Sequence, residues 1–480
     1  MREELFPGKD FEDKKSGGSP LIASINVVGL FGLYDYSLPS ASAFSNATIL
    51  YGDNGVGKST ILRLAFHLLS PGGDKGHRQA LYESVFEEFE VRLANGVIFK
   101  AAQIVPRAKS SSVKPIKRLV LTIEKEGVVI ALWEFVPRGL RNEAGYYLDL
   151  ESIEAGARRT KKTIAERYKV SGENIGESIY LFMLSRYAPS IFILNADRRL
   201  DSDVVADPGD EVELRRIMRI DEPRRLNDIV ARSRQIALTQ ALGSASRWIS
   251  RKAVYSANRG SENVHSVYIN VIKQLTSSNA SAEEEPDYEG LQKLLTEIEQ
   301  RTEELAGYEL ATPLSISDLK KSLNARSRQK KRLAAELLVP YVESLRSRLQ
   351  ALDAIYQIID RFVNTINSNY LRDKYISYKV SQGFSIYNNS GAPLEAAHLS
   401  SGEQQLMLLF CYVLSGRDKP CVFMIDEPEI SLNVKWQRQL VQSLLDITNG
   451  ANVQFIFASH SMELLAQHRN RVVPMMSEPK

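Results

Sequence analysis

Cysteine is nearly absent from this chain, with only Cys411 and Cys421 among 480 residues. Both stand in apolar stretches with no histidine at metal-ligand spacing, which excludes a disulfide framework and a zinc site built on them. Long apolar runs are missing as well. No segment reaches the length of a membrane-crossing helix, and the mean hydropathy is −0.22. The opening residues Met1 to Asp10 lack the basic start, apolar core and small-residue cleavage site of a signal peptide, so a cytoplasmic chain with no membrane partner is expected. A strong charge of one sign is lacking too: 61 Lys and Arg stand against 58 Asp and Glu, a net +3, so bulk charge does not mark a nucleic-acid binder.

What is present is an ordinary globular composition, 44% hydrophobic and 25% charged, at a length that predicts two or three structural units. Residues 1–20 read as a loosely attached leader, 21–205 and 373–480 as two halves of one α/β domain, and 206–372 as a helical insertion between them. Leu21 to Val28 and Ala47 to Tyr51 read as strands. Ser59 to Leu69 reads as a helix with Ile61, Leu62, Ala65, Leu68 and Leu69 on one face, stopped by Pro71-Gly72-Gly73. From Phe89 to Phe135 the apolar period falls to two, with turns at Asn95-Gly96 and Glu126-Gly127, which predicts an antiparallel sheet. Buried strands are expected at Ile191 to Asn195, Val422 to Glu427 and Val453 to Ala458, and strand signals also return at Tyr375 to Tyr387. In the insertion, Val342, Leu345, Leu349, Leu352, Tyr356, Ile359, Val363 and Ile366 alternate spacings of three and four, a coiled-coil seam about 35 to 40 Å long. Val264, Tyr268, Val271 and Leu275 form a shorter stripe, set off by an acidic linker at Glu283 to Pro286.

The chemistry concentrates in a few short segments. Gly52-Asp53-Asn54-Gly55-Val56-Gly57-Lys58-Ser59, followed by Thr60, joins an apolar strand to a helix. Its glycines let successive N–H groups face phosphate oxygens at the positive end of the helix. Lys58 is placed to bridge β and γ phosphates, and the Ser59 hydroxyl to ligate Mg²⁺. Val422 to Glu427 ends in two acids, Asp426 for the Mg²⁺ shell and Glu427 to polarise an attacking water. Leu399-Ser400-Ser401-Gly402-Glu403-Gln404 read alone is a helix cap, and His460 alone is a polar residue at a strand end.

Taken in order, the phosphate loop, the Leu-Ser-Ser-Gly-Glu segment, the strand with Asp426-Glu427 and the Ser459-His460 pair resemble the ABC-type ATPases. Asp426-Glu427-Pro428-Glu429-Ile430-Ser431-Leu432-Asn433 is close to the form in the SMC, Rad50 and OLD-like branch of that family. The resemblance covers both flanking halves. It implies an α/β ABC-ATPase head, a P-loop sheet plus an antiparallel β-subdomain, interrupted by a short coiled-coil insertion. It also implies ATP and Mg²⁺ as cofactors, Glu427 and His460 in catalysis, and a head-to-head dimer or higher homo-oligomer of this chain. In that dimer Ser400, Ser401, Gly402 and Glu403 reach the nucleotide held by the partner, and Ser431-Leu432-Asn433 meets the interface. Ser401 and Glu403 depart from the transporter form, which has glycine and often glutamine there. Gln103, or alternatively Gln79, is the candidate glutamine joining Mg²⁺ to the water. Tyr36 is either a base-stacking aromatic or a core residue.

The insertion is longer than transporter subunits allow and far shorter than SMC arms. Basic residues cluster at Lys320, Lys321, Arg326, Arg328, Lys330, Lys331 and Arg332, and again at Arg107, Lys109, Lys114, Lys117 and Arg118, either as solvated faces or as contacts to nucleic acid. Only twenty residues follow His460. With no Toprim or HNH domain there, and with Asp197-Arg198-Arg199 after a strand, the chain resembles ATPase subunits of two-gene phage-defence systems, the PARIS type first and the Septu type second. That resemblance implies a separately encoded effector, a Toprim nuclease in the PARIS case, and a phage protein as trigger.

Overall fold

The computed structural model describes residues 21–40, 42–73, 75–104, 117–137, 175–195, 200–202, 226–261, 269, 287–324, 326–430 and 432–476. The leader, Asp197 to Arg199, the stripe from Val264 to Leu275, the Glu283 to Pro286 linker, Ser431 and the basic residues Arg107, Lys109 and Lys114 lie outside them. The chain divides into two compact units, one of Met1–Asp221 with Gly416–Lys480, the other Glu222–Ser415.

The first unit starts with β1 (Ile22–Leu30) and β2 (Tyr34–Leu38), then β3 (Ala47–Tyr51), which runs into the glycine-rich loop and α1 (Lys58–Leu69). After α2 (His77–Glu83) come β4 (Glu88–Leu93), β5 (Val97–Ile104), β6 (Arg118–Lys125) and β7 (Val128–Phe135). These join β1 and β2 in an antiparallel sheet of order β2-β1-β4-β5-β6-β7. The two expected turns are there, and left-handed backbone at Gly96 (φ 83°), Glu126 (φ 53°) and Gly127 (φ 75°) closes them. Next are α3 (Ile175–Tyr187), β8 (Ser190–Leu194) and β9 (Leu200–Ser202).

The second unit holds α4 (Leu226–Ser261), α5 (Tyr288–Ala306), α6 (Ser317–Leu323) and α7 (Arg328–Asn369). A small antiparallel sheet of β10 (Lys374–Lys379), β11 (Gly383–Asn388) and β12 (Pro393–Leu394) follows, and then α8 (Ser401–Ser415). The expected seam lies on the 42-residue helix α7, where Val342, Leu349, Leu352, Ile359, Val363 and Ile366 are buried, while Leu345 and Tyr356 are half-buried. Beside them Arg301 of α5 donates to Asp353 of α7 (2.6 Å) and lies 4.3 Å from the Tyr356 ring.

The chain then returns to the first unit with β13 (Cys421–Asp426), α9 (Val434–Ile447), β14 (Val453–Ser459), α10 (Met462–Gln467) and β15 (Val472–Pro474). The central sheet has the order β15-β3-β14-β13-β8-β9, parallel except for the edge strand β9. β13 and β14 are buried along their whole length, which is why they read as mainly apolar runs, with Gln454 a polar exception inside β14. Phe192, Phe423 and Phe455 stack across three strands, with centroids 4.5 and 5.8 Å apart, on one face of the sheet. Residues on the opposite face, Leu50, Met424 and Ile456, belong to one core with α1 and the antiparallel sheet. Helix α1 is therefore buried on more than the one face expected: Leu64 and Phe66 are inside along with Ile61, Leu62, Ala65, Leu68 and Leu69. Gln454 ties the two sheets together. Its side chain accepts from the N–H groups of Leu21 and Ile22 and donates to the carbonyls of Ile22 and Ser45. This uses the capacity of a side chain that is 1% exposed.

Candidate nucleotide site

The strand register brings three carboxyl ends level: Ser459 pairs with Tyr51, and Ala458 with Asp426. In a parallel sheet this is the edge where ligands bind. Strand β14 lies between the strand that leads to the phosphate loop and the strand that ends in two acids, so Ser459-His460 emerges between them.

The loop from Gly52 to Gly57 takes its shape from left-handed backbone at Gly55 (φ 86°) and Gly57 (φ 95°). At Gly57 a Cβ would come within 2.6 Å of Leu30 Cδ2 and 3.3 Å of Phe31 Cε2, so glycine is required sterically as well. Lys58, 4% exposed, donates from Nζ to the carbonyls of Gly52 (2.8 Å) and Asp53 (2.9 Å). Tyr36 is buried, and its hydroxyl donates to Val56 O at 3.0 Å. It is a core residue that braces the loop.

Ser59 donates from Oγ to Asp426 Oδ1 at 2.7 Å, joining residues 367 positions apart. A hydroxyl and a carboxylate side by side are the hard oxygen donors that suit Mg²⁺. Burial raises the Asp426 pKa, against the pull of Ser59, Arg63 and Lys58. Glu427 has φ 48°, and its N–H donates to Ala458 O (2.8 Å). Its carboxyl is pushed up to about 7, first by burial and then by neighbouring Glu429, while His460 opposes the shift. His460 Nδ1 lies 2.5 Å from Glu427 Oε2.

Glu429, absent from the sequence-based site, sits in the middle of this arrangement. Its Oε1 accepts from Ser459 Oγ (2.7 Å) and from the N–H groups of His460 and Ser461 (3.0 Å each). The signal was the third acid of Asp-Glu-Pro-Glu. Glu427, Glu429 and His460 place potential metal-ligand atoms within 4.8 Å of one another. Two ligands of one tetrahedral ion at about 2.1 Å would stand about 3.4 Å apart, so the 2.5 Å contact between His460 Nδ1 and Glu427 Oε2 is a hydrogen bond.

Gln103, at the end of β5, donates from Nε2 to the carbonyls of Leu81 (2.9 Å) and Ser84 (2.8 Å), and Gln79 donates to Glu83. Asn433 caps α9 by accepting from Trp436 N. In the other unit, Ser400 and Glu403 form a capping box at the start of α8: Ser400 N donates to Glu403 Oε2 (2.7 Å) and Glu403 N to Ser400 Oγ (3.3 Å). Lys374 also donates to Glu403 Oε2 (2.9 Å). Ser400 and Ser401 are exposed and Gly402 is buried. In the basic clusters, Lys117 and Arg118 are engaged with Ser84 O and Glu134, while Arg326, Arg328 and Lys330 are exposed.

No curated protein matches the chain. Among solved structures it is similar to an Smc head domain with an extended coiled coil, bound to the C-terminal domain of ScpA and derived from Pyrococcus furiosus. The match has 13% identity and a TM-score of 0.31, covering 93% of this chain and 92% of that one. A second similar structure is an SmcHead bound to the C-winged helix domain of ScpA, at 12% identity and TM-score 0.31 with the same coverage. The described residues contain no helix long and apolar enough to cross a membrane. A family model described as "AAA domain, putative AbiEii toxin, Type IV TA system" matches residues 212–466, which hold the Leu-Ser-Ser-Gly-Glu segment, the two acids and His460. That span is more than half of the chain, which therefore belongs to this family.

Proposed function

We propose that the chain hydrolyses ATP and works as a switch in which two heads close on two nucleotides. The observation that carries this reading is the meeting of the phosphate loop with the two acids, Ser59 on Asp426 at 2.7 Å, beside the Glu427–His460 pair. Bound Mg²⁺·ATP supplies an electrophilic γ-phosphorus with its charge partly neutralised. The loop N–H groups and Lys58 hold the phosphates, and Ser59 and Asp426 hold the ion, with Gln103 the candidate for a further ligand. Glu427 takes the proton of the attacking water, and a carboxyl pKa near neutrality matches that task. His460 orients Glu427. Ser400 to Glu403 of one copy complete the site of the other, since the exposed Ser400 hydroxyl, which accepts from Glu403 N, keeps its own proton to donate to a phosphate at the helix N-terminus.

Glu427→Gln is expected to keep ATP binding and slow turnover by at least about a hundredfold. Unaltered steady-state hydrolysis would rule Glu427 out as the base. Lys58→Ala is expected to lose nucleotide affinity, measured by titration calorimetry.

In the cell we place the switch in phage defence, where closure of the heads is passed to the helical arm and controls a separately encoded effector, a Toprim-type nuclease in the PARIS reading. The family's description as a putative toxin of a toxin–antitoxin system supports a conflict role. Copurification of a nuclease from the native operon tests it. A chain that remains alone and protects cells unaided would overturn it. The exposed Arg326, Arg328 and Lys330 favour a second reading, a nucleic-acid clamp. ATP-dependent, salt-sensitive DNA binding would select that one.

A further inference from the structure

We propose that Glu429 is a positioning residue for hydrolysis: one oxygen of its carboxylate holds the loop that presents His460 to Glu427. The inference rests on the reading of Glu427 as the base.

Three consecutive residues fold around Glu429 Oε1. Ser459 gives its hydroxyl at 2.7 Å, and His460 and Ser461 give their backbone N–H groups at 3.0 Å each. Two successive N–H groups turned onto one anion make a nest, an arrangement that usually holds a phosphate or a carboxylate. Hydrogen bonds to a charged acceptor are the stronger kind, and the donors here are sheltered: Ser459 is 0% and Ser461 9% exposed, and Glu429 itself 8%. His460 Nδ1 lies 3.2 Å from the same oxygen and 2.5 Å from Glu427 Oε2. The ring is thus placed from its own backbone, and that backbone is placed by Glu429.

The rest of the loop would not hold this geometry unaided. Beyond Ser459 the sheet pairing ends, and the next helix, α10, has only six residues. Ser461 caps α10 by accepting from Leu464 N and also donates to Gln437 Oε1, so its side chain is committed elsewhere. Besides the contact of His460 with Glu427, two further links join the stretch after β13 to the end of β14 from the acids' side. One is Glu427 N to Ala458 O at 2.8 Å, which fixes the base; the other is the Glu429 carboxylate, which fixes the histidine. The motif spacing follows from this. With Glu427 in the left-handed region and Pro428 next, the chain turns sharply, and the second residue on points back under the strand ends. A side chain one methylene shorter than glutamate would fall short of three donors that are already at hydrogen-bond distance.

The test uses the full chain and compares Glu429→Ala, Glu429→Gln and Glu427→Gln. Turnover, ATP affinity and amide hydrogen exchange are read for each. Glu429→Ala is expected to leave ATP affinity within about twofold and to lower kcat by about a hundredfold, the cost of a catalytic group displaced by about 1 Å. The His460 and Ser461 amides should exchange at least about tenfold faster, while Phe455 to Phe457 in β14 stay protected. Glu429→Gln keeps an oxygen in place of Oε1 without the charge, so its kcat should lie between those of wild type and Glu429→Ala. It also serves should the alanine variant fail to fold. If Glu427→Gln stops turnover while both Glu429 variants match wild type, the inference is overturned. It is equally overturned if exchange quickens throughout β14 or if ATP affinity falls in step with kcat, because Glu429 would then only support the fold. Normal turnover by Glu427→Gln would sink the assignment of the base, and the exchange of His460 and Ser461 would still decide whether Glu429 anchors the loop.

Discussion

Backbone conformation at single residues sets the chemistry of the site. Glu427 occupies left-handed space at φ 48°, which costs a non-glycine residue about 1 to 3 kcal/mol, and the surrounding bonds to Ala458 and His460 hold it there. The two loop glycines occupy positive φ without that strain, since they have no Cβ, but they differ in their surroundings. A Cβ on Gly55 would meet nothing within 4 Å, so Gly55→Ala carries only the backbone penalty, about 1 to 2 kcal/mol. At Gly57 the same atom would press on Leu30 Cδ2, and this fully buried side chain would have to shift. Gly57→Ala is therefore expected to lose ATP affinity by a clearly larger factor than Gly55→Ala in parallel titrations. Equal losses would mean that the close approach to Leu30 does not shape the loop. Of the residues named from the sequence, the loop, Asp426, Glu427 and His460 meet in one place, because each follows directly from a strand end. The roles of Glu429 and of Tyr36 as a brace are not legible in the sequence, because their partners lie 20 or more positions away.

At the level of elements, two helices differ from their simplest reading. The periodicity of α1 marked one apolar face, but two sheets enclose the helix, and this fixes Lys58 and Ser59 on a rigid support. In α7 the apolar seam was legible over its length, since a spacing of three and four is a local signal. Pro340 interrupts the ladder of that helix and leaves the carbonyl one turn earlier without its N–H partner. Pro340→Ala is expected to stabilise the helical unit by about 1 to 3 kcal/mol, seen as a higher urea midpoint. A lowered midpoint would show that the proline shape is needed for packing. Gln454 is the opposite case, a polar residue inside an apolar strand that looks like a flaw in the sequence and turns out to join two sheets through three hydrogen bonds to Leu21 and Ile22, with a fourth to Ser45.

For the whole molecule, the proposed site is complete only when two copies meet. Ser400→Arg and Lys58→Ala should each be inactive alone, for opposite reasons. One lacks the serine given to the partner, and the other lacks the lysine that holds its own nucleotide. A mixture should recover activity, about a quarter of wild type for independent sites in randomly formed dimers. No recovery in mixtures shown by sedimentation to contain heterodimers would refute the shared site. The phosphate loop, the paired acids, the hairpin turns and the seam are legible in the order of residues, because glycine conformation, strand alternation and helical spacing are properties of neighbouring residues. Three features emerge from folding alone: β14 runs between the other two site strands, Glu429 gathers Ser459, His460 and Ser461, and α1 is enclosed on two sides. Those features arise from pairing and burial between segments tens to hundreds of residues apart, whose energies depend on which surfaces meet and leave no period in the chain itself.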